Sequence, residues 1–175
     1  MSTVIVTTSP GFATVGKVPS FIEEKGWKLH RCVDTGRPHG GVLDYAADMD
    51  FLVVGLIPAT AELMDKAPKL KAILKHGVGV DNIDIPAATA RKIPVLNAPG
   101  ANSNAVAELA IGGMLSFARR IPMMHKTMVE GGWQRIVGTE IEEKTLGVVG
   151  LGSIGKVLAR KARALGMRVL ASDLY

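Results

Sequence analysis

The glycine-rich turn between two apolar runs near the end of the chain limits the fold more than any other feature. The first run, residues 146–149, enters the turn at Gly150, and the second, residues 167–171, ends at Asp173. Between them apolar residues recur at helical spacing, basic residues take the opposite face, and Gly166 stops the helix. A strand, a tight turn, an amphipathic helix and a second strand predict a parallel βαβ unit.

The glycines of this turn have the spacing that a bound dinucleotide requires. Gly150 permits the tight turn, Gly152 lets main-chain N–H groups approach a pyrophosphate, and Gly155 lets the helix pack against the strand. The diphosphate would lie at the positive end of the helix, on main-chain donors near Ser153 and Ile154. An ordinary βα turn is the simpler alternative for the glycines alone, and the order of the surrounding elements argues against it.

Asp173 indicates which dinucleotide is bound. It follows Gly155 by 18 residues and ends the second strand, where a carboxylate accepts hydrogen bonds from the ribose of adenosine. The same carboxylate would repel a 2′-phosphate, and Leu174, not an arginine, comes next. The sequence therefore predicts NAD and not NADP as the cofactor.

The net charge of +5 favours an anionic small molecule over nucleic acid, because the basic residues are dispersed and aromatic residues make up only 5%. No apolar run reaches the ~18 residues that span a bilayer, and no basic segment precedes the first apolar stretch. The single cysteine, Cys32, excludes an internal disulfide and fits a reducing compartment. We expect a cytoplasmic protein with no metal site and no nucleic-acid or membrane partner.

The first hundred residues repeat a strand-then-helix rhythm that predicts an α/β fold. Five apolar segments of strand length are separated by stretches able to hold crossover helices. This pattern is typical of a small flavodoxin-like domain with a parallel sheet, in which ligands bind beyond the carboxyl ends of the strands. The candidate strands are residues 4–6, 29–33, 51–56, 72–75 and 95–96.

A second glycine pattern follows the fourth candidate strand. Gly77 and Gly79 bracket Val78, which would let consecutive main-chain amides point at an anion such as a carboxylate. A plain glycine turn explains the same residues, and spacing alone leaves both interpretations open.

Pro99 and Gly100 mark a boundary between two domains, residues 1–98 and 99–175. After it, Asn102 or Ser103 could cap a long helix, for which we predict residues 103–128. Its apolar residues exceed what half a domain is expected to cover, which predicts a homodimer through this helix. The stripe expected to be buried comprises Val106, Leu109, Ala110, Met114 and Phe117.

Three segments together resemble the D-isomer-specific 2-hydroxyacid dehydrogenases, most closely the phosphoglycerate dehydrogenase branch. They are residues 77–84, residues 97–108 with Asn-Ala-Pro-Gly-Ala-Asn at their start, and residues 146–173. The resemblance implies a two-domain enzyme with its active site in a cleft. Residues 1–98 would form the substrate domain, and residues 99–175 the first βαβ part of a Rossmann domain for NAD.

The resemblance also implies roles for single residues. The loop that matches Gly77, Val78 and Gly79 binds the substrate carboxylate through main-chain amides, and Val78 would also lie near the nicotinamide. Asn102 matches a polar position at the cleft. The family's contacts to NAD match the residues already derived above from the glycine turn and the acid that ends the second strand.

The family's catalytic arginine, acid and histidine match segments that would follow Tyr175. We therefore predict no catalytic residue within this chain. Among its four histidines only His76 lies near the expected cleft, where a proton donor would be needed to act on a keto acid. The histidine has a simpler interpretation as the residue that precedes the glycine turn.

Two functions are consistent with these patterns. The first is an NAD-dependent oxidoreductase that interconverts a D-2-hydroxy acid and a 2-keto acid, with its remaining residues beyond position 175. The second is a truncated, noncatalytic relative that binds a small anion or dimerises with a full-length partner. The substrate stays open, because phosphoglycerate would need additional cations. The candidates are Arg37, Lys66, Lys69, Lys75 and Arg135.

Overall fold

The computed structural model describes residues 2–33 and 36–174, and it divides into two compact units, Met1–Pro99 and Gly100–Tyr175. The first unit is built on a sheet of five parallel strands in the order β2-β1-β3-β4-β5. This is the flavodoxin-like order, and the predicted fold class is confirmed. The strands are β1 (Val4–Thr7), β2 (Lys28–Arg31), β3 (Phe51–Val54), β4 (Ala72–Lys75) and β5 (Val95–Leu96).

Strands β2 and β3 end two residues earlier than the apolar runs predict. At the end of β3 the Gly55 N–H donates to the Thr8 hydroxyl at 2.8 Å and not to a neighbouring strand. The apolar segment in the sequence is therefore longer than the strand, because the strand ends where its backbone hydrogen bonds to neighbouring strands end.

Short helices connect the strands of the first unit. Thr60 and Asp84 cap two of them, each accepting the N–H of the residue three positions on, Leu63 and Ala87. A 3₁₀ segment is interrupted by left-handed residues from position 39 to 41. These elements are α1 (Val18–Glu24), the 3₁₀ segment (Pro38–Tyr45), α2 (Ala61–Asp65) and α3 (Ile85–Ala90).

Both faces of the sheet are covered, because successive side chains of a strand point to opposite sides. On one face Leu52 and Ile73 pack with residues of the 3₁₀ segment, α2 and α3. On the other, Ile5 and Val53 pack with Ile22 of α1. The sequences of the buried strands are therefore continuously apolar, as expected for a parallel sheet that is covered on both faces.

Cys32 belongs to the first of these two clusters and is 4% exposed. Burial, with the nearby Asp44 carboxylate, raises the pKa of its thiol. A protonated, enclosed thiol packs as a small apolar side chain.

The second unit contains the predicted βαβ element. Strand β6 (Thr145–Val149) pairs in parallel with β7 (Arg168–Ser172), and α6 (Ser153–Ala164) connects them. Gly166, with φ of 78°, ends α6: its N–H donates to Arg163 and the N–H of Met167 to Ala162. This paired arrangement is the Schellman motif, so the predicted helix stop is confirmed.

The prediction of one helix over residues 103–128 is wrong. The structure has α4 (Ser103–Ala118) and α5 (Ile121–Val129), separated at Arg120, whose φ of 57° is left-handed. Pro122 follows in the first turn of α5, where its missing N–H costs nothing, whereas inside a continuous helix it would remove a hydrogen bond.

The predicted buried stripe of α4 is also wrong. Leu109 and Phe117 are each 77% exposed, and the buried residues of the helix are Ser103 and Ala107. A Cβ added at Gly112, or at its neighbour in position 113, would meet no atom of the described residues within 4 Å, so close packing does not explain either glycine.

No helix in the described ranges has the length and apolar character needed to cross a bilayer.

Candidate functional site

The carboxyl edge of the first unit's sheet brings three loops into contact. The loop after β1 meets the loop after β3 at Gly55, where a Cβ would lie 2.6 Å from the Thr8 carbonyl oxygen. Only glycine fits there. The same loop meets the residues after β4 through Ser9, whose Oγ lies 2.6 Å from Nδ1 of His76.

The residues Gly77–Gly79, here named the first glycine turn, present main-chain N–H groups. Gly77 has a φ of 150°, its carbonyl accepts the N–H of Ala98 at 3.0 Å, and the Val78 carbonyl accepts Nδ2 of Asn97 at 2.8 Å. In a trans peptide the N–H points away from the carbonyl of the same unit. The N–H groups of Val78 and Gly79 therefore point away from these two partners, and within residues 2–33 and 36–174 neither has an acceptor.

A half-buried lysine holds the loop after β3 beside this turn. Nζ of Lys75 donates to the Gly55 carbonyl and to Oδ1 of Asn82, both at 2.7 Å. The Asn82 amide nitrogen donates in turn to the carbonyls of Gly55 and Ile57. Sequence reasoning treated Lys75 as a candidate cation for a phosphate and missed this role, since no local pattern pairs residues 55, 75 and 82.

The predicted dinucleotide turn, Gly150–Gly155, is named here the second glycine turn. Gly150 is left-handed with φ of 89°, and its N–H donates to the Ser172 carbonyl at 2.7 Å. A Cβ on Gly155 would lie 2.1 Å from the Gly150 carbonyl oxygen, whereas one on Gly152 would meet no atom of the described residues within 4 Å. Gly155 thus allows the helix to pack against the turn, and Gly152 leaves its outer side open.

The amino-terminal end of α6 offers donors at this turn. Gly152 occupies the capping position without a side chain to fill it, and among the described residues the N–H groups of Ser153 and Ile154 have no acceptor. Asp173 accepts the N–H of Leu151, which fixes its carboxylate against the turn. It also accepts the Leu174 N–H at 2.7 Å.

The predicted residues of each glycine turn lie within one unit, and Asn102 belongs to the second unit. Gly77–Gly79 belong to the first unit, and Asn102 to the second, where it precedes α4. Asn102 takes the capping position, but its side chain makes no capping hydrogen bond, so its amide is exposed.

Most candidate cations for a phosphate are engaged elsewhere. Lys66 pairs with Glu62 at 2.7 Å, and Lys69 with Asp48 at 2.6 Å. The hydrogen bond from Lys69 lowers the pKa of Asp48, and the same contact raises that of Lys69. Arg37 pairs with Asp44 at 2.6 Å, and Arg135 belongs to the second unit.

The other three histidines contact neighbouring side chains or lie exposed on a helix. His30 stacks on Tyr45 with ring centroids 4.1 Å apart, and Nε2 of His39 lies 3.9 Å from Glu62. His125 is exposed on α5. Within the described residues no group of three or more His, Cys, Asp or Glu side chains could hold a metal ion.

A parallel sheet of this order and a βαβ unit with a dinucleotide-type glycine turn define an α/β protein of two units. The family model for the D-isomer specific 2-hydroxyacid dehydrogenase, catalytic domain, matches residues 18–171. The chain belongs to this family.

Individual proteins show the same likeness. The D-3-phosphoglycerate dehydrogenase of Methanocaldococcus jannaschii is 45% identical over 146 residues, which cover 82% of this chain and 28% of that protein. A hydroxypyruvate reductase of Thermotoga maritima is 42% identical over 72% of this chain and 42% of its own length. The NAD⁺-bound 3-phosphoglycerate dehydrogenase of Entamoeba histolytica superposes with a TM-score of 0.77 at 30% identity, covering 99% of this chain and 55% of that one.

The chain therefore spans between about a quarter and two fifths of the length of these two curated relatives.

Proposed function

We propose that this chain binds NAD and the carboxylate of a small 2-hydroxy or 2-keto acid as part of an NAD-dependent D-2-hydroxyacid dehydrogenase of the phosphoglycerate dehydrogenase type. The geometry of the second glycine turn carries the proposal: Gly155 packs against Gly150, donors at the start of α6 lack acceptors among the described residues, and Asp173 is fixed beside them. The family and the NAD⁺-bound enzyme of Entamoeba histolytica support the same cofactor.

The second glycine turn would hold the cofactor by its two polar ends. The N–H groups of Ser153 and Ile154 and the positive end of α6 would stabilise the diphosphate. Asp173 would accept hydrogen bonds from the adenosine ribose and disfavour a 2′-phosphate. The nicotinamide, when bound, supplies the chemistry of hydride transfer.

The first glycine turn would hold the substrate. The N–H groups of Val78 and Gly79, which have no acceptor among the described residues, would donate to the two oxygens of a carboxylate, which orients the adjoining carbon. Val78 would also lie near the nicotinamide, and Asn102 at the cleft. The arginine that polarises the carbonyl, and the histidine and acid that move the proton, would match positions outside residues 1–175.

We also propose a homodimer formed through α4 and α5, and a cytoplasmic location. Large apolar side chains on both helices are exposed, among them Leu109, Phe117 and Met128. The unpaired, buried thiol of Cys32 is consistent with a reducing compartment.

Calorimetric titration of the 175-residue chain with NAD tests the proposal, beside mass and size determination of the same sample. Saturable binding is expected. Asp173→Ala should weaken it about 10- to 100-fold, because hydrogen bonds to a charged acceptor are lost, and should reduce the preference for NAD over NADP. Glu140→Ala, which changes an exposed acid of the same unit, should leave binding unchanged. Absence of binding, or equal binding by the Asp173 variant, would refute the proposed cofactor site.

A further inference from the structure

Two strands of the first sheet end in a cationic residue at its carboxyl edge, and both residues already donate hydrogen bonds to other groups of the first unit. The guanidinium of Arg31, the last residue of β2, donates to the carbonyls of Phe12 and Ala13 at 2.6 and 2.8 Å. Lys75, the last residue of β4, donates to Gly55 and Asn82. A phosphate dianion is bound by charge-assisted hydrogen bonds from such groups, so these two would first have to leave their present acceptors.

Releasing Lys75 would be costly. Its ammonium and the Asn82 amide share the Gly55 carbonyl in a half-buried position. Withdrawing the lysine would leave Oδ1 of Asn82 without its donor, and an unsatisfied polar group away from water is destabilising. The loop that supports the first glycine turn therefore depends on Lys75 remaining where it is.

His76 is one of the polar side chains next to the first glycine turn, with Asn97 and Asp81. Its Nδ1 lies 2.6 Å from Ser9 Oγ, and the Phe12 ring packs edge-on against the imidazole with centroids 5.8 Å apart. The residue is nevertheless exposed. Because Nδ1 already contacts Ser9, Nε2 is the ring nitrogen left to make one hydrogen bond with a ligand. One hydrogen bond is enough to bind a hydroxyl or carbonyl group, but a phosphate dianion needs more donors.

Resting on the proposed function, we propose that the first glycine turn takes a short, unphosphorylated 2-hydroxy or 2-keto acid, and that His76 is a specificity-determining residue that binds a polar group next to the carboxylate. Ser9 and Phe12 set the position of its ring. Lys17, exposed at the end of the loop after β1, is the cation chosen to test the alternative in which a phosphate is bound.

The test is a set of NMR titrations of the ¹⁵N-labelled 175-residue chain with D-glycerate, 3-phospho-D-glycerate and inorganic phosphate. D-glycerate should shift the amide signals of Val78 and Gly79, and 3-phosphoglycerate should bind no more tightly than D-glycerate. Tighter binding of 3-phosphoglycerate by more than about tenfold would overturn the assignment of substrate class while leaving the carboxylate site intact, and Lys17→Ala would show whether that lysine is responsible. If no acid shifts Val78 and Gly79, the proposed function of the turn fails and the inference fails with it.

Variants at position 76 test the specificity role. His76→Ala should weaken D-glycerate binding about 3- to 10-fold, as expected for one neutral hydrogen bond, while saturating D-glycerate still shifts the amide signals of Val78 and Gly79. His76→Arg should raise the affinity for 3-phosphoglycerate relative to D-glycerate by about tenfold, because it adds a cation. His125→Ala, an exposed histidine on α5, is the control and should change neither affinity. Unchanged affinities in both His76 variants would overturn the assignment.

Discussion

The two units of this chain bury their apolar residues to very different extents. Among the described residues, the first unit contains nineteen buried apolar side chains and the second contains four. The four are Ala107, Val148, Ala162 and Met167. The second unit nevertheless has large apolar side chains, including Trp133 at 89% exposure and Val149 at 95%.

The difference follows from how many neighbours each strand has. In the first unit β3 is paired on both sides and both its faces are covered, so Leu52 and Val53 are each enclosed. In the second unit β6 pairs with β7, and no other strand joins them within the described residues. The same local βα pattern therefore produces a core only where the sheet continues.

The largest effect expected from this comparison is that of truncating a central core residue. Leu52→Ala, at a position 1% exposed, should lower the free energy of unfolding by about 2–5 kcal/mol, through lost burial and the cavity left behind. Leu170→Ala, at a position 68% exposed on β7, should change it by less than about 0.5 kcal/mol. Urea unfolding followed by Trp27 fluorescence in a Trp133→Phe background measures the first unit, and circular dichroism follows both. Similar losses for the two leucines would show that the second unit encloses its strands as well as the first.

The second unit depends instead on close approach at a glycine. Gly155→Ala would place a Cβ 2.1 Å from the Gly150 carbonyl oxygen, so the start of α6 must shift. We expect a loss of about 1–3 kcal/mol, as for other overpacked sites. Gly147→Ala in β6 is the matched control, since a Cβ there meets nothing within 4 Å.

Amide exchange of Gly150, whose N–H is bonded to Ser172, reports this loss directly. Faster exchange in the Gly155 variant than in the Gly147 variant is the expected order. Equal rates would mean that the helix start adjusts at no cost and that the close approach is not required for stability.

The same contrast explains what the sequence could predict. The five strands of the first unit and the βαβ element were recognisable because apolar runs and glycine spacing are local signals, and both are present in the structure. The break in the single helix predicted over residues 103–128 was indicated by Pro122, which favours a helix start at this point and which the prediction overlooked; only the left-handed backbone of Arg120 could not be predicted. The predicted stripe of α4 failed because its apolar residues have no covering element among the described residues, and sequence shows apolarity without showing its partner.

The candidate site, like the fold, could be predicted from the sequence only in part. The two glycine turns follow from short motifs, whereas contacts such as Ser9 with His76 join residues far apart in sequence. Gly55 was also missed, because the need for glycine there comes from the Thr8 carbonyl in the loop after β1, which is distant in sequence. What the motifs leave undecided is the set of side chains around them, and that set determines the substrate.

The smallest expected effect concerns the carboxylate of Asp50, which contacts two other residues of the first unit. Asp50 is 16% exposed in its side chain, pairs with Lys71 at 2.8 Å and accepts the Val4 N–H at 2.8 Å. The hydrogen bond from Lys71, followed by that from Val4, lowers the pKa of Asp50. Asp50→Asn keeps an acceptor for Val4 and removes the charge, so we expect a loss of about 1 kcal/mol at neutral pH.

The pH dependence separates this ion pair from an exposed one. Because the pKa of Asp50 is lower in the folded chain, its contribution is complete above the unfolded value of about 4 and is lost as the pH falls through the folded pKa. Urea midpoints of wild type and Asp50→Asn should therefore converge in acid.

In the second unit the pKa of Glu108 is also lowered, by hydrogen bonds from Lys161 and Asn104, but its side chain is 58% exposed. Glu108→Gln should leave the midpoint unchanged, because water and salt screen such a pair. A difference between wild type and Asp50→Asn that persists in acid would show that the amide disturbs packing and that the charge is not what stabilises this edge of the sheet.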